Sequence, residues 1–178
     1  MSTRTMIFQE QENGGFVGKY IHYDGYTNGV GRILVKHYYD RNKVRKLLDI
    51  DQDISSLGTT TDTIPNNYGS NSVKSIMYET WNKLSAVDKK VSDQFYDFMK
   101  RYTTILNDSG TSRMFASDLS EVMEYAVITN GYIYYQNLEG KWFVSEKEID
   151  EGEYGVFESV KKLLIQRNEL SEQKESEQ

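Results

Sequence analysis

Phe16-Val17-Gly18-Lys19-Tyr20-Ile21-His22-Tyr23-Asp24-Gly25-Tyr26 is the stretch on which the reading of this chain turns. A spacing of two predicts a strand over 16–23, with Phe16, Tyr20 and His22 on one face and Val17, Ile21 and Tyr23 on the other. Both faces are mostly apolar or aromatic, so the strand is central or covered by helices. Asp24-Gly25 ends it. Upstream, residues 5–10 read as the partner strand, and Asn13-Gly14-Gly15 as the turn of a hairpin.

Downstream the period changes. Val30, Ile33, Leu34, His37 and Tyr38 follow helical spacing, which sets His37 on the apolar side as a core or hydrogen-bonded residue. Asp40 is placed to cap a second short helix that turns Val44, Leu47 and Leu48 inward. Residues 51–72 are polar and turn-rich and read as a long loop of the functional or mobile kind. Val73, Ile76, Met77, Trp81 and Leu84 return to helical spacing. Ser85 with Asp88 resembles a capping box, opening a long helix whose inner face runs from Val87 to Tyr102 and Ile105.

Ser117 reads as the cap of a short helix through Met123. A meander is then expected: strand 125–129, turn Asn130-Gly131, strand 132–137, turn Glu139-Gly140, strand 141–145. Val156, Phe157, Val160, Leu163 and Leu164 space as a final helix. Strands at both ends with helices between them predict an α+β fold. Its antiparallel sheet is built from the N-terminal hairpin and the C-terminal meander and is covered by helices. One domain is expected over 1–168, with a disordered acidic tail over 169–178.

The chain has 178 residues, enough to bury roughly two-thirds of its unfolded surface without a metal or disulfide staple. It has no cysteine, which excludes a disulfide scaffold, a thiol nucleophile and a thiolate zinc site. No apolar signal core or membrane-length run is seen, so a cytoplasmic location is expected. Net charge is −6, which argues against general nucleic-acid binding by bulk electrostatics. The charge is uneven, however: Lys19, Arg32, Lys36, Arg41, Lys43, Arg45 and Lys46 face only Asp24 and Asp40 in their stretch, and residues 139–158 are acidic. Fourteen tyrosines add rings of the kind enriched at binding surfaces.

P-loop, dinucleotide-binding glycine, paired-histidine and nucleophile-elbow patterns are all absent. Asp49, Asp51 and Asp53 alternate as at the start of a calcium loop, but Ile54 and Thr60 stand where glycine and glutamate are needed. Neither metal nor cofactor is expected. On an extended strand, His22 and Asp24 point the same way and could form a general-base pair for RNA cleavage. Arg4, Lys19 and Arg32 would then neutralise phosphate, and Tyr20 or Tyr26 would stack on a base. The structural alternative is an Asp-Gly turn whose carboxylate caps the following helix while His22 is held by a hydrogen bond.

Ser2-Thr3-Arg4, a short hairpin, then Tyr20, His22, Asp24, Gly25, Tyr26, Val30, Gly31, Leu34, His37 and Tyr38, with Val44, Leu47 and the segment 53–58, form a recognisable pattern. It resembles a group of small phage, prophage and plasmid proteins of Gram-positive bacteria. The resemblance covers about residues 2–58 and brings no catalytic residues. It implies a mobile-element accessory protein directed against host defence, in particular an anti-CRISPR that binds a Cas9-type effector or its guide RNA. The binding residues would be Tyr20, Tyr23, Tyr26, Lys19, Lys36, Arg41, Lys43 and Arg45. The alternatives are a ribonuclease with His22, Asp24, Arg32 and Arg4 at its site, and a phage structural or regulatory protein.

Overall fold

The computed structural model describes residues 3–65, 100–110, 113–129, 132–146 and 156–171. Within them the strands are β1 (Thr5–Glu10), β2 (Phe16–Ile21), β3 (Gln52–Ser56), β4 (Thr63–Pro65), β5 (Thr103–Gly110), β6 (Met114–Ala116), β7 (Tyr132–Gln136), β8 (Trp142–Ser145) and β9 (Glu158–Ser159). The α-helices are α1 (Arg32–His37), α2 (Arg41–Leu48), α3 (Leu119–Thr129) and α4 (Val160–Gln166), and a π-helical turn, Thr27–Gly31, leads into α1. One sheet takes all nine strands in the order β4-β5-β3-β2-β1-β7-β8-β9, with β6 also paired to β2.

The first hairpin is as expected. Gly14 takes φ +89°, and the Gln11 amide donates to the Gly15 carbonyl at 2.7 Å, closing the turn. The second hairpin, β7–β8, turns at Gly140 (φ +86°). The sheet joining them is mixed, not antiparallel. β1 pairs in parallel with β7, β2 with β3, and β4 with β5. β1 is buried along almost its whole length and needs a neighbour on each side, which β2 and β7 supply.

Helices cover both faces. On one, Ile7, Ile21, Tyr134 and Val144 pack against Val30, Leu34, Val44, Leu47, Val160 and Leu164. On the other, Met6, Phe8, Phe16 and Ile133 pack against Val122 and Ala126 of α3. Gly18 is required by this second layer, because a Cβ there would lie 2.4 Å from the Phe8 ring. The Asp40 cap is present, its carboxylate accepting from the Asn42 amide at 2.8 Å.

Several expected elements differ. The strand expected over 125–129 is the second half of α3, where Val122 and Ala126, four apart, both reach the second core layer. Asp118, not Ser117, caps that helix by accepting from the Glu121 amide at 2.9 Å. Residues 103–105, read as the end of a long helix, belong to β5, because β3 and β4 flank them as strands. The stretch read as a loop contains β3 and β4. Glu169 and Leu170, read as the start of the tail, belong to the body: Leu170 is buried, and the Glu169 carbonyl accepts from Arg32 at 2.8 Å. The helix expected at 73–84, most of the one after it and the Asn130-Gly131 turn lie outside the described residues.

Candidate functional site

β2 stops at Ile21, although the His22 and Tyr23 amides still donate to Ile54 and Ser55 carbonyls at 3.0 and 2.9 Å. Asp24 then takes φ +60°, a left-handed backbone that aspartate tolerates better than most residues. The Gly25 amide donates to the Thr3 carbonyl at 2.8 Å, and the Tyr134 hydroxyl donates to the Gly25 carbonyl at 2.7 Å. A Cβ on Gly25 would sit 2.8 Å from that Thr3 oxygen, and one on Gly29 would sit 2.3 Å from the Asp24 carbonyl oxygen. Both glycines are therefore conditions of the turn. The π-helical turn follows, a geometry found often at functional sites.

An outer ion pair holds this turn to the end of the sheet. Thr27 Oγ1 donates to Glu146 Oε2 at 2.7 Å, and both terminal nitrogens of Arg167 bond the same carboxylate at 2.9 and 2.5 Å. The bond from Arg167 holds the Glu146 carboxyl below its usual range, and the Thr27 hydroxyl acts the same way against the opposing effect of burial.

The turn, α1 and the end of β3 enclose a cleft of about 730 Å³. Tyr23, Asp24, Tyr26, Arg32, Lys36 and Lys100 line it, with His37 at its edge. Arg32 Nη1 is steadied by Asn28 Oδ1 at 3.4 Å and the Glu169 carbonyl at 2.8 Å. Tyr26 is 42% exposed, leaving much of its ring open. Among the described residues no hydrogen bond or ion pair reaches the Asp24 carboxylate. It neither meets His22 nor caps the following helix, whose first turn has no side-chain cap.

His22 is therefore separated from Asp24 by the change in backbone direction. Its Nδ1 lies 2.8 Å from the Tyr20 hydroxyl, and its ring meets that of Tyr23 edge to face at 4.5 Å. Burial, then the neighbouring Arg4 charge, push the imidazole pKa down, so it is neutral near pH 7. Arg4 is exposed. His37, expected as a core or hydrogen-bonded residue, is exposed at the cleft, whereas Val30, Leu34 and Tyr38 of the same stretch are buried as expected.

The other predicted cations serve the fold. Lys19 is 1% exposed and its Nζ donates to the Ile50 carbonyl just past α2. Burial lowers its pKa, opposed by the charges of Asp53, Asp51 and Asp49. Of those alternating aspartates, Asp49 pairs with Arg113 at 2.8 Å, and no group of three potential ligands that could hold a metal forms among the described residues. Arg41 donates to the Asn137 carbonyl at 2.8 Å and the Glu10 carbonyl at 2.6 Å, tying α2 to both hairpins. Lys43 donates to the His37 and Thr59 carbonyls at 2.6 Å each and lies over the Tyr38 ring. Arg45 is exposed and lines a separate shallow hollow with Glu12 and Arg41.

Lys100 and His37 line the cleft without having been singled out for it by the sequence. Distance in sequence hid Lys100, which stands just ahead of β5, the strand that pairs with β3. No helix among the described residues is long and apolar enough to cross a membrane. Compared with protein-family models, curated proteins and solved structures, the chain matches none.

Proposed function

We propose that this chain is an anti-defence protein of a mobile element, an anti-CRISPR inhibitor that binds a Cas9-type effector or its guide RNA stoichiometrically through the cleft. One observation supports the choice of binding over cleavage. The Asp24–Gly25 turn parts His22 from Asp24 and instead gathers Tyr23, Tyr26, Arg32 and Lys36 around one cleft with Lys100. Rings that stack and cations that meet phosphate, without a converged acid–base pair, favour holding a nucleic acid over cutting it. Since the whole chain is acidic, a local basic cleft fits a specific partner better than coating of nucleic acid at large.

The experiment incubates the protein with a Cas9–guide RNA complex and with free guide RNA. The RNA is run on a denaturing gel and the complex on a sizing column. Intact RNA with co-elution at a fixed ratio is the expected result. A second reading, RNA cleavage at His22, has one observation in its favour. The imidazole is neutral, fixed at Nδ1 by Tyr20 and set near Arg4. Shortened RNA that His22→Ala abolishes would replace binding with that reading. Intact RNA without co-elution would overturn the Cas9 partner.

A further inference from the structure

Resting on the reading of the cleft as the binding site, we infer that the segment just past α4, Arg167 to Leu170, positions two side chains of that cleft, Tyr26 and Arg32, for the partner. Neither Arg167 nor Glu169 lines the cleft itself. The end of α4 gives the segment its shape. Asn168 takes φ +58°, its amide donates to the Ile165 carbonyl at 3.1 Å, and the Glu169 amide donates to the Leu164 carbonyl at 2.8 Å. This paired closure is a Schellman turn, in which asparagine can replace glycine at the left-handed place. Leu170 then anchors the segment in the same core as Val30 and Leu34.

Two links run from this fixed segment to the cleft wall. Arg167 holds the Glu146 carboxylate with both terminal nitrogens, and that carboxylate accepts from Thr27, the first residue of the π-turn. Two residues on, the Glu169 carbonyl accepts from Arg32 Nη1 at 2.8 Å, a closer contact than the 3.4 Å to Asn28 Oδ1. The first link reaches Tyr26, which directly precedes Thr27 and whose ring lies against the turn: a Cβ on Gly29 would stand 3.0 Å from it. Ring and guanidinium are thereby set before a partner arrives, so less freedom is lost when they make contact. Ordering one such side chain only at binding lowers affinity about threefold to tenfold.

The test opens the ion pair with Arg167→Gln. Parent and variant are titrated calorimetrically with a short oligoadenylate RNA and with a Cas9–guide RNA complex, at a temperature where both are fully folded. The variant is expected to bind about threefold to tenfold more weakly. Arg167→Lys, which keeps the charge, should recover part of that loss. In a Tyr26→Ala/Arg32→Gln background, Arg167→Gln should cost nothing further, because the side chains through which it acts are gone. Hydrogen exchange supplies a readout that needs no ligand. The Gly29 and Val30 amides, each bonded at 2.8 Å to the Tyr26 and Asp24 carbonyls, should exchange faster in Arg167→Gln, while the amides between β1 and β2 keep their protection. Thr27→Val cuts the link from the turn side with the ion pair intact and should reproduce both changes. Parent-like binding by folded Arg167→Gln and Thr27→Val, a full loss that persists in the double-variant background, or unchanged exchange at the turn overturns the inference. A parent that binds neither probe removes the reading of the cleft, and the exchange comparison alone then decides whether the segment positions the turn.

Discussion

Lys19 and Lys36 come from the same basic stretch and do opposite things. Lys19 points from the middle of β2 into the core, where its ammonium closes the end of α2 at the Ile50 carbonyl. Lys36 sits on α1 and lines the cleft. Arg41 and Lys43 follow Lys19, each spent on two backbone carbonyls, whereas Arg32 follows Lys36. A cation beside strand ends and helix ends meets carbonyls that nothing else satisfies, and burial then makes it structural. The difference teaches that a count of positive charges does not measure a binding surface. Here Arg32 and Lys36, both on α1, are the cations of that stretch that line the cleft.

Substitutions can break or sharpen this division. The largest effect is expected from Gly29→Ala, which would drive a methyl into the Asp24 carbonyl at 2.3 Å, a backbone atom that cannot swing away. We expect a loss of about 3 kcal/mol in chemical denaturation, with the cleft wall deformed. Lys19→Met comes next. It leaves the Ile50 carbonyl without its buried donor, at a cost of about 2 kcal/mol. Its single-stranded RNA binding, measured at a temperature where it is folded, should match the parent. Weakened RNA binding by a fully folded Lys19→Met would break the comparison.

Glu146→Gln is expected to cost about 1 kcal/mol at pH 7, a modest figure because Arg167 is partly exposed to water. The folded protein holds the Glu146 carboxyl below its ordinary value of 4.5, so its stabilisation is complete above that value. It is lost as pH falls through the lower folded-state value. Denaturation curves of parent and variant should therefore converge in acid and separate toward neutrality. The smallest stability change, under about 1 kcal/mol, belongs to Arg32→Gln/Lys36→Gln, which removes the Arg32 bond to the Glu169 carbonyl but no core side chain. A much larger loss in thermal denaturation would place these two with Lys19.

How far the sequence reaches follows the same physics. The first hairpin, the Asp40 cap and the β7–β8 turn depend on neighbours a few residues apart, and all three are legible. The parallel pairing of β1 with β7 depends on contacts across more than a hundred residues, which no local spacing encodes. Tyr125 to Thr129 reads locally as strand through its β-branched and aromatic residues, and packing of Ala126 with Met6 and Phe8 makes it helix instead. Tyr23, Tyr26 and Lys36, singled out in the sequence for binding, and Arg32, singled out for phosphate, come together at the cleft. The His22–Asp24 pair was not a pair, because one left-handed residue ended the alternation that would have aligned them.

The most direct test of the account compares the salt dependence of oligoadenylate RNA binding in the parent and in Arg32→Gln/Lys36→Gln. Each phosphate contact contributes about 0.7 to the slope of log affinity against log salt for a single strand. Loss of two cleft contacts should therefore flatten the slope by about 1.4, with thermal stability nearly unchanged. An unchanged slope in a folded double variant would contradict the claim that the cleft cations, and not the charge of the stretch as a whole, hold the nucleic acid.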